Sequence, residues 1–180
     1  VQRAFLGAME TQIQIGCYPS ETGSPADLTE RERTELQTAY TSRVEQYYTE
    51  ENPCRKRYIA LNEDFLTACD SDVEYSESGG VADCRFDSVR LYADRMTAVV
   101  QAQTLVWDKR ISGNPEQGFS VELPVNRDTI TATMKKENGV WKLDSIDSQI
   151  SLSAAVPADD EVCRERYPTF ETARQAGEAA

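Results

Sequence analysis

Catalysis needs nucleophiles, acid–base groups or metal ligands, and this chain lacks the most versatile of them: it has no histidine. That removes Ser–His and Cys–His dyads, His-x-x-x-His zinc sites and histidine-based pH switches. Tyrosine and carboxylate remain. Tyr40, Tyr47 and Tyr48 share one stretch, and Asp108 stands beside Trp107. Carboxylates forced into an apolar pocket beside tyrosyl donors can move protons, because burial drives their proton affinities apart. The same tyrosine spacing is that of a packed helix face whose hydroxyls reach its rim, and we read these residues as structural. Tyr40, Tyr47, Trp107 and Trp141 are the candidates for ligand contact; no residue is assigned a catalytic role.

The other clusters have plainer readings. Asp70-x-Asp72-x-Glu74 alternates oxygen donors as a hard-cation loop does, but the turn glycine and distal glutamate are not at the required offsets. It is read as a solvated acidic loop, and neither metal nor cofactor is expected. Arg55-Lys56-Arg57 is the one dense basic cluster and reads as a solvated helix start. Cys163 precedes Arg164 and Arg166, cations that lower a thiol's pKa, yet no base or orienting group accompanies it. No glycine-rich phosphate loop, Gly-x-Ser-x-Gly elbow or dinucleotide fingerprint occurs.

The elements that would position these residues come from 180 residues carrying 19 basic and 31 acidic side chains, a formal charge of −12. That balance argues against nucleic acid or anionic lipid as a partner, and membrane contact is expected only through an anchor outside this sequence. The start at Val1, without Met or an apolar leader, reads as a trimmed piece. Five cysteines are dispersed without a Cys-x-x-Cys pair. Cys69 and Cys84 bracket a polar loop and are the disulfide candidates, which points to an extracellular or cell-surface location, with a reduced cytoplasmic chain as the alternative.

Val1, Phe5, Met9, Ile13 and Cys17 recur every four residues and predict a first helix, with Gly16 as its left-handed cap. Thr29 with Glu32 forms a capping box that opens a second helix, whose stripe runs through Leu36, Tyr40, Val44, Tyr47 and Tyr48. A third helix over 55–69 is expected to break near Asn62. From Ala82 the period becomes two. A half-exposed strand over 84–93 precedes a long central strand over 96–110, with Val100 and Val106 on one face and Val99, Leu105 and Trp107 on the other. Phe119, Val121, Leu123 and Val125 are opposite in parity to Ile130, Ala132 and Met134, so a bulge or bend is expected near 126–129. Asn138-Gly139 signals a hairpin, and the last strand is expected to reach about Leu152. The fold class is therefore α+β: N-terminal helices packed on a strongly curved antiparallel sheet over residues 1–152. Residues 153–180 form a polar tail or linker in which only Val162, Tyr167 and Phe170 are suited to dock.

The closing pattern Lys-Glu-Asn-Gly-Val-Trp-Lys-Leu, with Asn138, Gly139, Trp141, Lys142 and Leu143, resembles the final hairpin of the nuclear-transport-factor-2-like (cystatin-like) superfamily. Within it the chain is similar to secreted or surface modules of Gram-positive bacteria. The resemblance implies a cone between helices and sheet that is an active site in some relatives, ketosteroid isomerase among them, and plain core in others. The expected role is a non-catalytic exported or surface module for protein–protein assembly. Its contact is a protein partner or self-association through the exposed sheet face, since one helix layer cannot cover both faces of the central strand. The alternatives are a small-molecule-binding or isomerase/dehydratase-like enzyme using the cone, and an assembly subunit of a conjugation channel.

Overall fold

A computed structural model describes residues 1–18, 27–67, 74–154 and 160–179. Helices form where apolar residues recur at helical spacing: α1 (Gln2–Ile13), α2 (Glu30–Tyr47) and α3 (Cys54–Thr67). The capping box opens α2, with Thr29 Oγ1 accepting from the Glu32 amide at 3.3 Å and Glu32 Oε2 accepting from the Thr29 amide at 2.8 Å. α1 is capped at Gln14, with φ −87°, and not at Gly16 as expected; Gly16 takes its left-handed φ of 73° two residues on, in the turn that follows. Asn62 does not break α3. It is buried, accepts from the Gly16 amide at 2.9 Å and donates to Gln37 Oε1 at 2.6 Å, so its polar groups link α3 to α2 and to the turn that follows α1.

The sheet comprises β1 (Glu74–Leu91), β2 (Thr97–Asn114), β3 (Gly118–Glu122), β4 (Val125–Glu137) and β5 (Val140–Ser153). It is antiparallel, in the order β1-β2-β4-β5, with β3 paired to β2 beyond the end of β4. The α+β class and the succession of helices before strands hold. β1 begins well before the expected start near residue 82, because pairing to β2 holds even its polar first half extended. Asp70 and Asp72 lie outside the described residues, whereas Glu74 opens β1.

The expected disulfide is not formed at Cys84, which is a free thiol; Cys69 lies outside the described residues. Where a closed loop was expected, roughly 30 Å of strand at ~3.3 Å per residue separates Glu74 from Cys84. Cys84 packs half-buried against the main core. Burial, with Asp83 adding to it, pushes the thiol pKa up to about 11.

Of the bulge or bend expected near 126–129, no bulge is present. From Thr97 opposite Lys135 to Trp107 opposite Val125, and on to Asn114 opposite Gly118, β2 keeps one register with β4 and β3. Parity reverses because the covered face changes. Ala98, Val100, Ala102, Ile130, Ala132 and Met134 are buried on one face, under α1 and α2 with Phe5, Met9, Val44 and Tyr48. Farther along the same strands the opposite face is buried: Ile111, Phe119 and Val121 lie under Phe170 and Ala173. Inserted residues occur instead along the outer strands, at three places in β1 and two in β5, Asp144 and Asp147. Such residues bend and twist the strand that carries them.

The C-terminal segment is therefore no free linker. After α4 (Asp160–Arg164), Tyr167 pairs with Phe119 through two backbone hydrogen bonds of 2.8 Å. α5 (Phe170–Ala179) then lays Phe170 edge-on against Phe119, with ring centroids 6.1 Å apart. Val162, Tyr167 and Phe170, the residues suited to dock, all join this second core. Phe170→Ala is expected to lower unfolding free energy by about 3 kcal/mol in urea titration. An unchanged midpoint would mean that α5 contributes no core.

Candidate interaction surface

The space between helices and sheet is core. Phe5, Val44, Tyr48, Val100, Ile130, Met134 and Leu143 fill it, each essentially inaccessible. The tyrosines on α2 spend their hydroxyls on α1: Tyr40 donates to the Thr11 carbonyl at 2.9 Å and Tyr48 to the Ala8 carbonyl at 2.7 Å. Tyr58 meets Tyr48 edge-on at 5.6 Å. Burial raises the hydroxyl pKa of Tyr40, Tyr48 and Tyr58 above the ordinary range, with neighbouring tyrosyl or thiol groups adding to it. These are packed phenols that resist ionisation.

The four ligand-contact candidates are not brought together. Tyr40 borders a shallow cleft of about 280 Å³ with Tyr18, Leu36, Arg43 and Gly79. Tyr47 lies half-buried against α1, its ring where a Cβ on Gly7 would stand. Trp107 borders a different cleft of about 330 Å³ with Ile13, Phe65, Asp108, Arg110 and Asn126. Trp141, near the β4–β5 turn, carries the Lys136 ammonium 5.3 Å above its ring. The Trp107 cleft offers one carboxylate, Asp108, already held by Arg110 Nε at 2.6 Å. No group of three or more Cys, Asp or Glu among the described residues is placed to hold a metal. Arg55 at the start of α3 pairs with Glu45 at 3.1 Å.

An exposed apolar group lies on the sheet. The face opposite α1 and α2 carries Val99, Leu105 and Trp107 from β2, and the register sets Arg127 of β4 and Leu152 of β5 beside Leu105, with Ile150 one step farther along. Trp107, Ile150 and Leu152 are 39%, 61% and 63% exposed. Trp107 lies over Gly80 of β1, where a Cβ would come 3.5 Å from Nε1. Arg85 and Arg127 border a small pocket around Leu105. Toward the β1–β2 turn the face becomes polar, with Ser88 Oγ donating to Gln101 Oε1 at 2.8 Å and Thr133 Oγ1 to Asp147 Oδ2 at 3.0 Å.

Val99, Leu105 and Trp107 were legible as a second face; Ile150 and Leu152 were not. They share sequence parity with Ile146, which packs against the core, and only the inserted Asp147 sets them on the other side. The unbroken run Ser148–Ser153, free of charge and proline, was the available signal.

No protein-family model and no curated protein matches this chain. Among solved structures, the intermembrane space region of chloroplast protein ARC6 is similar at 13% identity and a TM-score of 0.44, over 85% of this chain and 95% of that one. A likeness at that score carries no functional argument.

The buried phenols give this surface's scaffold a defined alkaline limit. Unfolded tyrosine loses its proton near pH ~10, whereas Tyr40, Tyr48 and Tyr58 hold theirs higher when folded. Their contribution to stability is complete below that pH and is lost as pH rises through the folded values. Absorbance titration at 295 nm is expected to show these tyrosines ionising only with the loss of the circular-dichroism signal. Ionisation of all eight tyrosines before unfolding would contradict the packing.

Proposed function

We propose that this chain is a non-catalytic assembly module that associates through the open face of its sheet. The observation that carries this is the apolar group on one face of the sheet, with Trp107, Ile150 and Leu152 exposed and Leu105 half-buried among them, while both ends of the sheet are covered by helices. Exposed apolar groups on a sheet face are suited to association, and burying them removes apolar area at roughly 25 cal/mol per Å². Arg127 stands between Leu105 and Leu152, and Arg85 borders the Leu105 pocket; such charges give an interface its orientation. The filled interior and the dispersed tyrosines favour this over a cone-pocket enzyme.

The Asn138-Gly139 turn, with φ of 51° and 82°, together with helices followed by a bent antiparallel sheet, supports a nuclear-transport-factor-2-like module. No helix among the described residues is long and apolar enough to cross a membrane. An exported or surface location is proposed on the acidic composition alone, since Cys84 lends it no disulfide. The assembly role is independent of compartment.

A second copy is the simplest partner. Light scattering at micromolar concentration is expected to give at least twice the 20.2 kDa chain mass, with Trp107→Glu lowering it at an unchanged melting temperature. A wild-type monomer throughout would overturn the proposal.

A further inference from the structure

We infer that residues 148–153 of β5 form an edge-pairing site for a second copy of this chain, the two strands running antiparallel about a twofold axis at Ser151. The inference rests on the assembly reading above and adds to it an edge contact that sets two open faces side by side. The Ala154 amide donates to the Val125 carbonyl at 2.8 Å, which fixes the phase of the β4–β5 ladder. Alternate residues of an antiparallel strand turn their backbone groups toward successive neighbours. In this register Ile150 and Leu152 direct N–H and C=O toward β4, while Gln149, Ser151 and Ser153 direct theirs outward.

Open sheet edges recruit further strands unless something blunts them. The β1 edge has three inserted residues and carries Asp83, Arg85 and Arg90. The first half of β5 has its inserted Asp144 and Asp147, and Tyr48 bridges to Leu143. Residues 148–153, Ser-Gln-Ile-Ser-Leu-Ser, have no charge, proline or inserted residue. For a chain of −12, two copies repel least where neither brings charge. The stretch is also self-complementary. With Ser151 facing its own copy, Ile150 stands opposite Leu152 of the second copy in a non-hydrogen-bonded pair, where side chains approach most closely. Roughly six backbone hydrogen bonds would join the strands. The two open faces would then lie side by side as one apolar strip, left for association face to face.

Amide hydrogen exchange across a concentration series tests the pairing. The Gln149, Ser151 and Ser153 amides are expected to slow at least about tenfold as dimer forms, as edge amides do when they enter a ladder. Ser151→Pro removes an outward N–H without touching the β4 ladder or the open-face side chains, and is expected to weaken dimerisation at least about tenfold. Should that variant fold poorly, exchange on the wild-type protein still decides. A dimer whose three amides stay fast, or that survives Ser151→Pro, overturns edge pairing and leaves face-to-face assembly standing. A wild-type monomer overturns the assembly reading itself.

Discussion

The molecule depends on one ladder. β2 keeps a single register with β4 and then β3 along its whole length, so pleating divides its side chains strictly between two faces. Everything else is placed relative to that division. The N-terminal helices take one face around Val100, and the C-terminal helix takes the other around Ile111. Between the two covers, the face opposite α1 and α2 has no roof, and Leu105 and Trp107 lie there.

Polar groups hold the covers in position more specifically than apolar contact would. Tyr40 and Tyr48 bind α2 to α1, and Asn62 links α3 to α2 and to the turn that follows α1. Asn52 donates to the Leu143 and Asp144 carbonyls at 3.2 and 2.9 Å and accepts from the Cys54 amide at 2.8 Å, fastening the α2–α3 corner to the irregular part of β5. A buried polar group left without a partner costs ~1–3 kcal/mol, so these contacts select one helix arrangement over others of similar apolar burial. They also occupy the hydroxyls and amides that a cone-type active site would have needed.

Local patterns were readable from the residues wherever backbone chemistry is local. The Thr29–Glu32 box and the Asn138-Gly139 turn each lie where their residue types require. Where two distant segments decide the outcome, reading failed for identifiable reasons. A parity reversal in one strand has the same sequence signature whether a residue is inserted or the covering layer changes sides, and only the partner's register separates them. Asn62 looked like a helix breaker because its hydrogen-bond partners lie outside α3. The C-terminal segment looked like a linker because its few apolar residues dock on a strand more than forty positions earlier. Of the interaction surface, the β2 contribution was visible by alternation, whereas the β5 contribution needed the inserted Asp147.

The central claim is that the uncovered face becomes covered when molecules meet, and Trp107 is a built-in reporter of it. The chain has two tryptophans, so Trp141→Phe leaves Trp107 as the sole indole. Its fluorescence, followed from nanomolar to micromolar protein, is expected to shift to shorter wavelength and become less quenchable by acrylamide as association proceeds. Emission and quenching that stay constant across that range would show that the face remains in water, contradicting the account.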